Sequence, residues 1–207
     1  MEFLTIAILH FFAVSSPGPD FIVVTRQSIR SGRSAAIFTS LGVASGILIH
    51  SLAAMTGLTY IISSNPLVFF YLKIFGSAYI AYLGLISVLK SSSVDINFSG
   101  KSELDSFSSY RIGFITNVLN PKAIIFFITV FSIVLDSSTS IILLGLYGAY
   151  MSVATFAWFS FISLAFTNNF IVDKYTKFLP IFEKFLGCIL LIIAFQILMY
   201  ELPKLNG

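Results

Sequence analysis

Six long apolar runs dominate the sequence, and each is long enough to cross a lipid bilayer as a helix. They cover residues 3–25, 35–62, 67–89, 112–135, 141–166 and about 179–200. None alternates apolar and polar residues as the strands of a membrane barrel do. Only 10% of the residues are charged, whereas an ordinary soluble domain has roughly a quarter. The sequence therefore predicts an all-α, polytopic membrane protein with a single transmembrane domain over 1–207.

The basic residues predict the orientation of the six spans. Lys and Arg in short loops are retained on the cytoplasmic side of a membrane. Nine of the 12 lie in the first, third and fifth connections: Arg26, Arg30, Arg33, Lys90, Lys101, Arg111, Lys174, Lys177 and Lys184. Both termini are therefore expected on the outer side. The net charge of +3 reflects this topology, and no basic patch with interleaved aromatic residues indicates nucleic-acid binding.

The two halves of the chain resemble each other. The Ser-rich, charged segment 90–111 predicts a cytoplasmic linker between repeat 1 (1–89) and repeat 2 (112–207). Aligning residues 17–19 with 120–122 also aligns Leu-Gly pairs, 41–42 with 144–145 and 83–84 with 186–187. Because each half has three spans, the halves must have opposite orientations. The sequence thus predicts two inverted three-helix repeats, a design of many secondary transporters.

Two helix breaks are predicted at matching places, in the first and fourth spans. Ser16-Pro17-Gly18-Pro19-Asp20 and Asn120-Pro121-Lys122-Ala123 both contain prolines, which remove backbone donors and break or kink a helix. The freed backbone groups must be covered by protein or a water-filled cavity. Ionisable residues at membrane depth need partners, so Asp20 and Lys122 are expected to pair with each other. An alternative is that Asp20 only caps the short helix that follows it.

A site between the breaks would suit a zwitterion. Lys122 and N–H groups at a half-helix N-terminus would hold a carboxylate, while Asp20 and carbonyls freed by the prolines would hold an ammonium. The predicted substrate-binding residues are Asp20, Lys122, Asn120, Gly18, Pro19 and Pro121.

The second span carries Gly42, Gly46 and His50 on one helix face. The small residues predict close helix packing, and the same role is expected for Gly145. Gly42 and Gly46 could form either an internal seam or a homodimer contact. The imidazole of His50 needs a partner there, and imidazoles in general titrate in a range suited to proton transfer. Asp20 and His50 are the predicted proton-coupling residues.

Other chemistry is not indicated. The sequence contains no H-E-x-x-H, G-x-S-x-G or P-loop motif, so no enzyme is predicted. Cys188 is the single cysteine, which excludes a disulfide framework and a thiolate metal site, and its expected role is a small buried hydrophobe. No metal site and no cofactor are predicted. Lys73 is expected to reach the outer surface.

These motifs together resemble the lysine exporter and homoserine/threonine resistance (LysE/RhtB) family. The resemblance rests on Pro17-Gly18-Pro19-Asp20, Arg26 to Gly32, Gly42-x3-Gly46-x3-His50 with Gly57, Phe75-Gly76-Ser77-Ala78-Tyr79 leading to Tyr82-Leu83-Gly84, and Asn120-Pro121-Lys122-Ala123 followed by Phe126-Phe127. Members often carry Pro-Gln where this chain has Ser132-Ile133.

The resemblance implies an exporter of amino acids or their derivatives in the bacterial cytoplasmic (inner) membrane, driven by the proton-motive force. We expect alternating access, with the amino acid, protons and the lipid bilayer as partners. Two alternatives stay open at this point: a metal- or inorganic-ion exporter of the same architecture, and a membrane assembly factor that transports nothing. A hard divalent cation would need several oxygen ligands, and Lys122 would repel it.

Overall fold

The computed structural model describes residues 2–89, 103–134 and 139–202, and in these ranges the regular secondary structure is helical. The eight helices of the described ranges are α1 (Glu2–Ser15), α2 (Pro19–Arg30), α3 (Gly32–Ser64), α4 (Pro66–Leu89), α5 (Ser106–Val118), α6 (Pro121–Val134), α7 (Ile141–Ala165) and α8 (Asn169–Glu201). The all-α prediction is confirmed. Residues 90–102 of the predicted linker, residues 135–138 and the tail 203–207 lie outside the described residues.

Within the described residues, four helices are long and apolar enough to cross a membrane unaided: α3, α4, α7 and the part of α8 from Lys177. The other two spans are bent pairs, α1 with α2 at 53° and α5 with α6 at 58°. If each pair counts as one span, the described chain has up to six spans, by length and composition. Both bends lie at the proline-containing segments where the sequence predicts broken helices.

Two helices begin earlier than the apolar runs indicate. Helix α5 begins at Ser106, inside the segment predicted as a linker, because Asp105 caps it. The Asp105 carboxylate accepts hydrogen bonds from the Ser108 backbone N–H (2.8 Å) and hydroxyl (2.7 Å), and these bonds lower the pKa of Asp105. Helix α8 begins at Asn169, well before the predicted start of the sixth span, and continues through Pro180.

Helix α3 packs closely on α5 through glycines. A Cβ added at Gly42 would collide with the Tyr110 carbonyl oxygen and lie 2.7 Å from the Phe114 backbone nitrogen. At Gly113 of α5, a Cβ would lie 2.8 Å from the Thr39 carbonyl carbon. Gly46 similarly lies against Asn117. The structure therefore places Gly42 and Gly46 in an internal seam, and a homodimer surface stays a prediction.

Gly145 is different, because a Cβ built on it meets no atom within 4 Å. The packing role predicted for Gly145 is thus not seen within the described chain. The glycine of α7 that does make a close contact is Gly148, where a Cβ would lie 2.8 Å from the Ser51 Cβ. The reason is that equivalent glycines in two similar halves need not meet equivalent neighbours.

Helices α4 and α8 cross at a reciprocal glycine contact. A Cβ at Gly84 would lie 2.8 Å from the Gly187 carbonyl oxygen, and a Cβ at Gly187 would lie 2.6 Å from the Gly84 carbonyl oxygen. The sequence alignment of the two halves makes these glycines equivalent. Equivalent residues contact one another at a two-fold axis. The contact supports the inverted repeat, which itself stays a prediction.

Apolar side chains cover the outer faces of the helices, as expected where lipid replaces water. Phe75, Val153 and Phe195 are 70%, 68% and 62% exposed. Cys188 is also exposed, so the prediction of burial is wrong. Lys73 donates to Glu201 at 3.4 Å and therefore has a protein partner that the snorkelling prediction did not include.

Candidate functional site

The two breaks have the same local construction. Pro19 is the first residue of α2 and Pro121 is the first residue of α6. Proline suits this position because the first N–H of a helix has no partner within that helix. Asp20 and Lys122 consequently occupy the same second position of their helices. The sequence alignment pairs residues 17–19 with 120–122. The structure instead makes Pro19 equivalent to Pro121, which is a shift of one residue.

Asp20 is held by amides from the second break. Its Oδ2 accepts hydrogen bonds from Asn117 Nδ2 (3.0 Å) and Asn120 Nδ2 (2.9 Å). Its Oδ1 is buried and has no hydrogen-bond partner among the described residues, and the same holds for Asn117 Oδ1. Burying a polar atom without a partner is costly. The position in the first turn of α2 favours a negative charge, and Asp20 contacts the opposite break instead of capping its own helix.

Asn120 connects the two breaks through one side chain. Its Oδ1 accepts from the Lys122 backbone N–H at 3.0 Å, which caps α6. Its Nδ2 donates to Asp20, as described above. The orientation of the Asp20 carboxylate therefore depends on the start of α6.

Lys122 binds backbone carbonyls. Its ammonium Nζ donates to the carbonyl oxygens of Ser16 (3.1 Å) and Ala13 (3.2 Å). It forms no ion pair with Asp20 within 4.0 Å; among the described residues, that criterion is met by Lys73 and Glu201. The predicted Asp20–Lys122 pair is therefore wrong. The physical reason is that Pro17 has no N–H to donate to Ala13, and carbonyls at a helix C-terminus attract a cation.

His50 donates a second hydrogen bond to a carbonyl at the second break. In a continuous helix the Asn117 carbonyl would accept from residue 121, but Pro121 has no N–H, and the carbonyl accepts from the Asn120 backbone N–H at 2.9 Å instead. The His50 Nε2 donates to this carbonyl at 2.9 Å, and the ring stacks on Phe127. Because a carbonyl only accepts, Nε2 carries the hydrogen. A proton relay through His50 would therefore have to use Nδ1.

The breaks line one cavity between α1, α2, α3, α6 and α7. Its polar wall contains both charged residues, and its apolar wall is largely aromatic. The lining residues are His10, Ala13, Val14, Ser16, Gly18, Asp20, Phe21, Ile47, Asn120, Lys122, Ala123, Phe126, Phe127 and Phe159. Gly18 leaves room there, since a Cβ on it would lie 3.5 Å from both Lys122 Nζ and Cδ.

Sequence reasoning missed two polar residues of this region. Asn117 was not singled out, although its position four residues before Pro121 signals a freed carbonyl. Thr155, which lies 3.0 Å from His10 Nε2 through its hydroxyl, gives no local signal. His10 is almost fully buried. Glu183 of α8 is also buried, although the sequence places it near the start of a span.

The order of these features along the chain corresponds to one family. The model of the LysE type translocator matches residues 11–201, which include both breaks and all of the cavity-lining residues except His10. The chain belongs to the LysE translocator family.

Relatives of this LysE-family chain include proteins of similar length. The threonine efflux protein of Escherichia coli (strain K12) is 32% identical over 170 residues, which are 80% of this chain and 82% of that protein. An uncharacterized membrane protein of Haemophilus influenzae is 27% identical over 198 residues, covering 90% and 94% of the two chains. The uncharacterized membrane protein YrhP of Bacillus subtilis is 26% identical over 189 residues, covering 84% and 87%. No solved structure matches. Together with the apolar helices, these similarities identify a multi-pass membrane protein.

Proposed function

We propose that this LysE-family protein exports amino acids or amino-acid derivatives across the bacterial inner membrane. The observation that carries the proposal is the presence of two opposite charges, not bonded to each other, in one cavity. Asp20 offers a buried carboxylate oxygen with no hydrogen-bond partner among the described residues, and Lys122 offers an ammonium. A zwitterionic amino acid needs both. The similarity to a threonine efflux protein supports the same substrate class.

Each predicted site residue has a role in this proposal. The substrate ammonium binds Asp20, and its carboxylate binds Lys122 and N–H groups at the start of α2. Asn120 orients the acid, and Gly18 leaves space for the substrate backbone. Pro19 and Pro121 set the two breaks.

Proton coupling follows from the chemistry of Asp20. A proton entering from the outer side neutralises the carboxylate, which weakens the ammonium site and releases the substrate outward. Return of the carrier with its proton then completes alternating access. In this scheme, the basic loops are cytoplasmic and both termini are outside. His50 either takes part in coupling through Nδ1 or only positions the second break. Its hydrogen bond to the Asn117 carbonyl favours the second role.

An efflux screen tests the function. Cells with and without the protein are loaded with dipeptides of each amino acid, and the amino acids that leave are measured. We expect at least one to leave faster when the protein is present. Equal efflux of every amino acid at verified membrane expression would contradict the proposal.

The coupling role of Asp20 is tested in everted vesicles that contain Asp20→Asn. The amide keeps the shape but removes the charge that binds ammonium. We expect pH-gradient-driven transport to fall by at least about tenfold, since a hydrogen bond to a charged group contributes roughly 1.5–3 kcal/mol. Wild-type transport rates in this variant would exclude Asp20 from coupling.

The ion-exporter alternative gains no support from the site. Among the described residues, no group of three His, Cys, Asp or Glu side chains could hold a metal ion. Two amide N–H donors already occupy Asp20 Oδ2, so this carboxylate has only Oδ1 open, whereas a hard divalent cation needs several oxygen ligands. Growth in the presence of toxic metal salts, measured beside amino-acid efflux, distinguishes the two substrate classes.

A further inference from the structure

A primary ammonium is already bound at the first break, and it belongs to the protein. Lys122 Nζ donates to the Ser16 and Ala13 carbonyl oxygens at 3.1 and 3.2 Å. Lys122 comes from α6, whereas both carbonyls lie at the end of α1. The contact therefore joins the two halves of the chain.

The carbonyl pair is suited to ammonium groups in general. Pro17 cannot donate to the Ala13 carbonyl, so this oxygen is left open by the sequence itself. The C-terminus of α1 carries a partial negative charge that attracts a cation. Carbonyls 3.1 and 3.2 Å from one nitrogen leave it a third N–H for another acceptor.

Among the described residues, no carboxylate oxygen lies within 4.0 Å of Lys122 Nζ as it fills this pair. Asp20 lines the same cavity, but its buried Oδ1 has no hydrogen-bond partner in the described part of the chain. The cavity thus holds an ammonium bound to neutral oxygens and, separately, an open charged oxygen. A free ammonium that reached both the carbonyls and Asp20 would gain a charge-assisted hydrogen bond that Lys122 does not make.

We propose that the Ala13 and Ser16 carbonyls form a binding site for a primary ammonium, which Lys122 fills at rest and the α-ammonium of the exported amino acid fills in its place. The second half of this statement rests on the proposed function. Lys122, once displaced, binds the substrate carboxylate. Each substrate molecule thereby exchanges one ammonium for another at the first break, and the empty carrier needs no added cation there.

Chemical rescue tests the ammonium site without any transport assay. Lys122→Ala removes the side chain beyond Cβ, and n-propylammonium restores the missing atoms. We expect purified Lys122→Ala in detergent to melt at a lower temperature than wild type, and n-propylammonium to raise its melting temperature in a saturable manner. n-Propanol lacks the charge and trimethylpropylammonium lacks N–H donors, so neither compound should do so.

Lys122→Met is the matched control, because its side chain fills the same space with apolar atoms. It should show no response to n-propylammonium. If Lys122→Ala does not yield monodisperse protein, n-propylammonium is added from extraction onward. Recovery with this compound alone supports the site. Equal stabilisation by n-propanol, or no stabilisation or recovery, overturns it.

Competition then tests the exchange. The amino acid found in the efflux screen is titrated against Lys122→Ala with and without saturating n-propylammonium. We expect its apparent dissociation constant to increase with n-propylammonium; an unchanged constant overturns the exchange but leaves the ammonium site. If no amino acid is exported, the rescue result still decides the site, so the two failures are distinguishable.

Discussion

The two helix breaks use the same backbone chemistry but satisfy it with different side chains. At the first break, Pro17 frees the Ala13 carbonyl, and the ammonium of Lys122 binds it. At the second break, Pro121 cannot donate to the Asn117 carbonyl, which accepts from the Asn120 backbone N–H and from the His50 imidazole, both at 2.9 Å. In both cases a side-chain donor comes from another helix.

The charges at the breaks also differ, although their positions correspond. The N-terminus of a helix carries a partial positive charge, which stabilises an acid and opposes a base. Asp20 is therefore in a favourable place at the start of α2. Lys122 is in an unfavourable place at the start of α6, and its ammonium extends to the C-terminus of α1 instead. The comparison predicts that the two breaks cannot exchange their charged residues without loss of stability and transport.

Exchanging Asp20 and Lys122 should reduce efflux and melting temperature more than the other variants described below. In the double variant Asp20→Lys with Lys122→Asp, the new acid would face the carbonyls of Ala13 and Ser16, and the new base would face amide donors. An uncompensated buried charge costs on the order of 3–5 kcal/mol. We expect no measurable efflux, and a lower melting temperature than either single variant has. Efflux above that of both single variants would instead show that Asp20 and Lys122 act as a simple ion pair.

Disturbing the contact between α3 and α5, which supports the second break, should lower the melting temperature by an intermediate amount. Gly113→Ala places a Cβ against the Thr39 carbonyl, and overpacking costs roughly 1–3 kcal/mol. Gly145→Ala is the matched control, because its Cβ meets no atom within 4 Å and alanine favours a helix by roughly 0.5–1 kcal/mol. We expect the first variant to melt at a lower temperature and the second to melt no lower than wild type. A comparable loss for Gly145→Ala would show that Gly145 packs against something beyond the described residues, such as a second copy of the chain.

Removing the donor at the second break should have the smallest effect. His50→Leu removes the imidazole donor, but the Asn117 carbonyl still accepts from the Asn120 backbone N–H at 2.9 Å, so the cost is about 0.5–1.5 kcal/mol. His50→Gln retains an N–H donor and should lose less, as measured by melting temperature.

The pH dependence of transport separates the two roles of His50. If it only positions the break, His50→Gln keeps the dependence of transport on the pH gradient. Loss of that dependence at normal stability would establish the relay through Nδ1.

Much of the fold follows from local sequence signals. The apolar runs predict the spans, and the prolines predict both bends, because each effect acts over one helix or a few residues. The apolar runs do not predict the start of α5, because that start depends on the polar cap Asp105. The structure differs from the predictions for Gly145 and Cys188, because whether a helix face is buried depends on residues that are far away in the sequence.

The candidate site also combines features set by the local sequence with features set by the tertiary structure. By itself, the sequence determined that Asp20 and Lys122 lie at helix breaks and that particular carbonyls lose their donors, since a proline lacks an N–H in any surroundings. Only the tertiary structure decided which side chains donate to them. Lys122 and Ala13 are 109 positions apart and His50 and Asn117 are 67 apart, so their contacts depend on how the helices pack. The loss of a proline N–H is a local property of the backbone, whereas the side-chain donors are a property of the assembled bundle.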